Sequence, residues 1–283
     1  MRPTQSFPTP LKKKRRNKTL IRITWFFIVL ICLFVGFGFL SHVPSLVIQD
    51  IDIKGTKVLD VGEVRNRTLE YLGGNVALFY ARGNTLIYSK KKLTEFIKKE
   101  FPRVYEVLEI TLENKKLEIV LEERRAAFTW CGHEAPVYEK RFEQEECYFL
   151  DQTGFIFDTS PFFTPGVYLS FYGGINRELS PIGQTIRTKN RIEDFRELIE
   201  AFEKHELSSH SIVVGPDGQN QFLLNNFSTT GDFAKILFNE ESDLDDILDK
   251  VDFTFTEESF KQQFKTFSSK LEYIDTRFNN RVF

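Results

Sequence analysis

Eight basic residues, Arg2, Lys12, Lys13, Lys14, Arg15, Arg16, Lys18 and Arg22, lead into an apolar run from Ile23 to Leu40 broken only by Thr24. No Asp or Glu occurs before Asp50. At the rise of an α-helix those 18 residues extend about 27 Å, close to the hydrocarbon thickness of a bilayer. A cleaved signal peptide needs an apolar stretch of only about 7 to 15 residues and a small-x-small site, which Gly36-Phe37-Gly38 matches faintly. We therefore read residues 19–41 as an uncleaved transmembrane signal anchor of a single-pass protein in the cytoplasmic membrane. Residues 1–18 form a basic tail kept in the cytoplasm by the positive-inside rule. Trp25 falls near the inner interface, Pro44-Ser45 leads out of the membrane, and the remaining chain is extracytoplasmic.

Removing those eight from the 38 Lys and Arg of the chain leaves 30 against 40 Asp and Glu, a formal charge of −10 on the exported part. Nucleic acid is a poor partner for such a surface, because binding it rests on displacing counterions with positive charge. The length suits two modest domains, and the heavy use of Phe supplies apolar volume for both cores.

Cys32 lies in the anchor. Trp130-Cys131 closes one strand-like run and Cys147-Tyr148-Phe149-Leu150 opens another, so if the two runs pair as a hairpin the thiols face each other. In an oxidising compartment a disulfide between Cys131 and Cys147 would staple the loop from Gly132 to Glu146. The alternative is two unpaired thiols in a reducing compartment, against which the topology argues.

After the anchor, Val47, Ile51 and Ile53 alternate with Ile48, Asp50, Asp52 and Lys54 as a strand would, up to Gly55. Asp60 and Glu63 stand in the spacing of a capping box. Val61, Val64, Thr68, Tyr71 and Leu72 then fall on one helical face that ends at Gly73-Gly74. Ser89 can cap a second helix with Leu93, Phe96, Ile97 and Phe101 inward and Pro102 as its stop. Two strands follow, Leu108, Ile110 and Leu112 on the first and Leu117, Ile119 and Leu121 on the second, joined at Glu113-Asn114-Lys115.

The order strand, helix, helix, strand, strand directly after a signal anchor resembles a POTRA domain, which would occupy residues 46–123. Ile51-Asp52-Ile53-Lys54-Gly55 resembles its opening strand and turn. Gly74-Asn75-Val76-Ala77-Leu78-Phe79 resembles its Gly-Asn-x-Leu-Phe phrase, with residues inserted before Leu78. Phe101-Pro102-Arg103-Val104-Tyr105-Glu106-Val107 resembles its Phe-Pro-x-Val-x-x-Val link. Further on, the segments from Glu122 to Trp130 and from Tyr148 to Phe157 are similar to the junction of the FtsQ/DivIB family of bacterial cell-division proteins. The second of them carries Leu150-Asp151-Gln152-Thr153-Gly154-Phe155-Ile156-Phe157 as the family's Leu-Asp-x-x-Gly-x-x-Phe turn. The final Tyr273-Ile274-Asp275-Thr276-Arg277-Phe278 resembles the family's Tyr-Ile-Asp-Leu-Arg-Phe ending. The chain departs from the family where a Pro is usual near Ala126, and the cysteine-bridged insertion is not general to it.

Beyond Trp130 the pattern itself reads as a β-rich domain, residues 124–283, with a few helices. The fold class is thus α+β. Ile192, Phe195, Leu198, Ile199 and Phe202 form an amphipathic stripe that Asn190 can cap. Apolar runs at 211–214, 221–225 and 233–238 read as strands, and residues 257–268 as a last helix with Phe260, Phe264 and Phe267 at helical spacing.

Chemistry is thinly represented. His42, His133, His205 and His210 are scattered, and no nucleophile elbow, phosphate loop or dinucleotide fingerprint occurs, so we expect neither an enzyme nor a cofactor. The acidic cluster Asp243, Asp245, Asp246 and Asp249 lacks the turn Gly and closing Glu of a calcium loop and suits the start of a helix. We expect no metal. Asn66-Arg67-Thr68 and Asn226-Phe227-Ser228 match glycosylation acceptors of a kind common by chance.

Recognition remains. Tyr273 to Phe278 reads as a strand, Asn279-Asn280 as a tight turn, and Arg281-Val282-Phe283 as a short return. Such a segment at a sheet border leaves backbone groups for a partner strand. The resemblance implies the same end of the molecule, because FtsQ/DivIB proteins bind the small bitopic division proteins FtsB/DivIC and FtsL there. By matched position the contacts would be Arg277, Phe278, Asn280, Val282 and Phe283, supported by Tyr273 and Asp275. The expected role is a non-enzymatic divisome scaffold at the division septum. The alternatives are a POTRA-containing protein of outer-membrane assembly or secretion, and an anchored extracytoplasmic cell-wall hydrolase.

Overall fold

The computed structural model describes residues 10–135, 146–164, 166–188, 192, 194–205, 207–229, 232–258 and 271–278. The chain divides into two compact units, Met1–Glu122 and Glu123–Phe283. Its class is α+β, with five α-helices among the described residues.

Helix α1 (Pro10–Leu40) opens the first unit. Its window Leu20–Leu40, 21 residues, is long and apolar enough to cross a membrane, and almost none of it is buried against protein. A 3-10 turn at Pro44–Leu46 leads to β1 (Asp50–Lys54), then α2 (Val61–Gly73), a small hairpin of β2 (Asn75–Val76) and β3 (Tyr80–Ala81), α3 (Lys90–Glu100), β4 (Val104–Glu113) and β5 (Lys116–Glu123). The observed order therefore contains the expected strand, helix, helix, strand, strand, with a hairpin between the helices that periodicity did not reveal.

Local chemistry explains the boundaries. The Asp60 side chain accepts from the Glu63 amide and the Ser89 hydroxyl from the Lys92 amide, each satisfying a donor the helix itself leaves open. Asn114 and Lys115 both adopt positive φ, the twist a two-residue hairpin connection requires. Gly55 has φ +88, and a Cβ there would sit 2.1 Å from the Leu121 carbonyl oxygen, so only glycine fits where β1 meets β5.

The sheet order is β1-β5-β4, with β1 parallel to β5 and Ile51 opposite Leu117, Ile53 opposite Ile119. Val64, Leu93, Ile97, Val104, Ile110 and Leu121 close this core. Three inward assignments are corrected. Ile48 rather than Val47 is buried, because the segment before Asp50 pairs elsewhere: Ile48 donates to the Gly83 carbonyl and Val47 bridges Asn84. Leu108 is 57% exposed, since an edge strand buries an inward side chain only where a helix lies over it. Val61, in the first turn of α2, is also exposed.

The second unit is built on a mixed sheet of order β13-β12-β11-β10-β9-β6-β7-β8. Its strands are β6 (Phe128–Trp130), β7 (Cys147–Leu150), β8 (Ile156–Ser160), β9 (Ser170–Gly173), β10 (Ser209–Val214), β11 (Gln219–Thr229), β12 (Asp232–Asn239) and β13 (Tyr273–Asp275). Helices α4 (Asp194–Glu203) and α5 (Leu244–Thr256) lay Phe195, Leu198 and Phe202, and Ile247, Val251 and Phe255, on one face of it. Ile212, Phe222, Ile236 and Ile274 face them in register across four neighbouring strands. Asp243 caps α5 by accepting from the Asp245 amide, and Asp246 pairs with Lys250 at 2.7 Å, so the acidic cluster starts a helix. The expected Asn190 cap and residues 259–268 of the helix expected over 257–268 lie outside the described residues.

Strands β6 and β7 pair antiparallel, Trp130 opposite Tyr148, which puts the next pair of positions, Cys131 and Cys147, face to face. They form a disulfide, with sulfurs 2.07 Å apart. Closing a loop of this length should contribute about 3 kcal/mol through the unfolded chain. Reduction is expected to lower the unfolding midpoint of the second unit accordingly. Alkylation of the unfolded, unreduced protein should mark Cys32 alone, as mass spectrometry can check.

Candidate functional site

Strand β13 lies at the border of the large sheet, with β12 its neighbour among the described residues. The pairing is parallel and short: Tyr273 opposite Lys235, Ile274 opposite Ile236, Asp275 opposite Leu237. The Glu272 carbonyl accepts from the Lys235 amide and the Thr276 amide donates to the Leu237 carbonyl. In a parallel ladder the backbone groups of alternate residues point to opposite sides. Those of Tyr273 and Asp275 therefore point away from β12.

Three anchors hold so short a strand. Ile274 is buried in the core beneath the sheet. Thr276, fully buried, adds its hydroxyl to the Leu237 carbonyl at 2.8 Å while its own carbonyl accepts from Lys250 at 3.0 Å. Asp275, 4% exposed, is gripped by a fork from Arg277: Nε to Oδ1 at 2.8 Å and Nη2 to Oδ2 at 2.5 Å, while Nη1 reaches Gln219 Oε1 at 2.9 Å. This ties the segment after β13 to β11, two strands inward.

That geometry sets the electrostatics. The hydrogen bonds from Arg277 hold the Asp275 carboxyl below the usual carboxylate range, against the opposing effect of burial, and the same contact raises the Arg277 guanidinium. Because the folded-state value of Asp275 is the lower one, its stabilisation is complete above the unfolded value of about 3.9 and is lost as pH falls through the folded value. An Asp275→Asn variant should therefore unfold more readily at neutral pH, and the gap should close in strong acid. Denaturant titrations at the two pH values measure it.

Of the residues expected to make contacts, the structure brings Tyr273, Asp275 and Arg277 together on this border, and Phe278 follows three residues beyond the end of β13. Tyr273 is 49% and Phe278 53% exposed, whereas Asp275 is turned inward and acts on Arg277. Asn280, Val282 and Phe283 lie outside the described residues. Gln219, Lys250 and Thr276 were not foreseen, because the first two come from elements far away in sequence. The face of the sheet opposite the helices carries, beside this border, a shallow depression of about 430 Å³ lined by residues that include His133, Arg177, Val213, Gln221, Leu223 and Lys235.

Other polar groups are committed structurally. His205 Nε2 meets Asp252 Oδ1 at 2.5 Å and its ring stacks on Phe255, joining the turn after α4 to α5. Thr68, in the first glycosylation-like triplet, is buried inside α2 with its hydroxyl on the Val64 carbonyl. Among the described residues no three His, Cys, Asp or Glu side chains gather to hold a metal ion.

No family model matches the chain, and no curated protein matches it either.

Proposed function

We propose that this chain is a non-enzymatic scaffold of the bacterial divisome. It is anchored in the cytoplasmic membrane by α1, with its N-terminus in the cytoplasm and its two units outside, a POTRA domain followed by an FtsQ-type β-domain. It takes part in septum assembly by binding small bitopic division proteins of the FtsB/DivIC and FtsL type through strand addition at its C-terminal border. The observation that carries this reading is the placement of β13 at the end of the sheet order among the described residues, its alternate backbone groups directed outward beside exposed Tyr273. An added strand would draw affinity from main-chain hydrogen bonds and register from the side chains beside it. Confinement of both partners to one membrane raises their effective concentration, so a short contact suffices.

The test combines crosslinking with pull-down. A photo-crosslinking amino acid at Tyr273 should capture a small single-span membrane protein in dividing cells, and one at Lys98 on α3 should not. Ala at both Phe278 and Val282 should weaken pull-down of that protein at least about tenfold, the equivalent of 1.4 kcal/mol. Undiminished pull-down by the double variant rules the border out as the docking site.

A further inference from the structure

The proposed anchoring of α1 bears on the hairpin that periodicity missed. The apolar window Leu20–Leu40 extends about 31 Å as a helix and its uncharged part, Ile23–Leu40, about 27 Å, against a hydrocarbon core of about 30 Å, so its C-terminal turns are needed to span. The β2–β3 hairpin does not sit beyond the end of that window; it grips the helix inside it. The Tyr80 hydroxyl donates to the Phe34 carbonyl at 2.8 Å, and Phe34 lies six residues before Leu40, about 9 Å along the axis. The Phe34 ring packs edge-on to Phe79 at 5.1 Å and to Tyr80 at 5.2 Å. Gly38 makes the approach possible, since a Cβ there would come within 2.3 Å of the Phe79 ring.

Polar contacts lock the joint at the helix end. The Ser41 hydroxyl accepts from the Ala81 amide at 2.9 Å, and the buried Asn84 amide donates to the Ser41 carbonyl at 2.8 Å. Helix and hairpin are therefore joined by both apolar and polar contacts. The tip of the hairpin is then the anomaly. Ala77 and Leu78 adopt positive φ, where a water-facing turn favours Asn or Gly, and Leu78 is 89% exposed. Leu86 is 83% exposed, and Val43 and Leu46 on the exit segment are more than a third exposed. Apolar groups collected beside a spanning helix, with a tyrosine among them, are the arrangement found at the membrane interface.

We infer that the β2–β3 hairpin is a membrane-dipping element: Leu78 and Phe79 enter the outer leaflet beside α1, with the Tyr80 hydroxyl satisfied there by the Phe34 carbonyl, so that lipid covers this surface and fixes the first unit's orientation on the membrane. The inference rests on the reading of α1 as a membrane anchor, and the experiment separates the two. Single nitroxide labels are placed by Leu78→Cys, Leu30→Cys and Lys98→Cys in the full chain carrying Cys32→Ala, reconstituted in phosphatidylcholine–phosphatidylglycerol vesicles. Collision rates with oxygen and with a water-soluble nickel chelate then report depth. The label at position 30 should read hydrocarbon, that at 98 water, and that at 78 a depth of about 5–10 Å below the headgroups. Free access of the chelate to position 78, with position 30 still in hydrocarbon, overturns the inference and leaves the anchor standing. Shielding of position 78 from both collision partners overturns it equally, because the occupant is then protein. Chelate access at both 30 and 78 removes the anchor itself.

Discussion

Replacing Asp151 by Ala should destabilise the second unit by about 3–5 kcal/mol, the cost of removing one partner of a buried ion pair. The Asp151 carboxylate is 5% exposed and pairs with the Arg124 guanidinium, itself 13% exposed. It also accepts from the Thr153 amide at 2.8 Å, the Thr153 hydroxyl at 2.6 Å and the Phe155 amide at 3.1 Å. One side chain thus organises the turn between β7 and β8 and holds the arginine that stacks on the Phe155 ring at 4.1 Å. Alanine removes every acceptor at once and takes the Asp151 carboxylate away from a half-buried guanidinium. Asp151→Asn keeps an acceptor for the turn amides and should recover part of the loss. Denaturant unfolding of the detergent-solubilised chain, followed by fluorescence of Trp130 on β6, measures both; a loss under about 1 kcal/mol for the alanine variant contradicts the hub role.

Phe222→Ala should cost a comparable 3–5 kcal/mol by a different mechanism, the cavity left in a close-packed core. Phe222 is fully buried on β11, stacked on Phe238 at 4.8 Å and set edge-on to Phe202 at 5.1 Å and Phe195 at 5.8 Å. These rings come from β11, β12 and α4, so the vacated volume is bounded by three elements that cannot collapse independently. Phe222→Leu retains most of the volume and should lose distinctly less. Limited proteolysis provides the localising readout: the second unit should become susceptible while a fragment covering the first resists.

Both expectations rest on contacts that sequence shows only in part. Local rules located the capped helices, because an N-cap side chain and the amide it satisfies are three residues apart or fewer, as at Asp60 and Ser89. They also located the β4–β5 turn and the strand pair that brings Cys131 to Cys147, where the partners are neighbours or nearly so. Periodicity assigned faces correctly wherever an element is covered along its length, as on β5 and α4. It failed at Leu108, where the cover is incomplete, and at Val47–Ile48, where pairing with the segment around Gly83 interrupts the alternation. The hairpin of β2 and β3 escaped notice because two residues per strand carry no measurable period. Its significance is visible only once Tyr80 is seen on the Phe34 carbonyl, 46 positions away in sequence.

The candidate border shows the same division. That the last segment is a strand could be read over Tyr273 to Phe278, since alternation is a local property, but the strand ends at Asp275, where Arg277 turns back onto the Asp275 carboxylate. That it pairs parallel to β12, ends the sheet order, and is held by Gln219 from β11 and Lys250 from α5 could not. By itself the sequence determined an apolar segment long enough to cross a membrane, the helix starts, the tight turns and the α+β class, because each depends on residues a few positions apart and on the short-range sterics of the backbone. Only the tertiary structure decided strand order, the parallel pairing of β13, the burial of Asp151 and Asp275 and their pairing with arginines, and the grip of the hairpin on α1. Those depend on which distant surfaces exclude water together, a free energy shared among many weak contacts and written in no single stretch of chain.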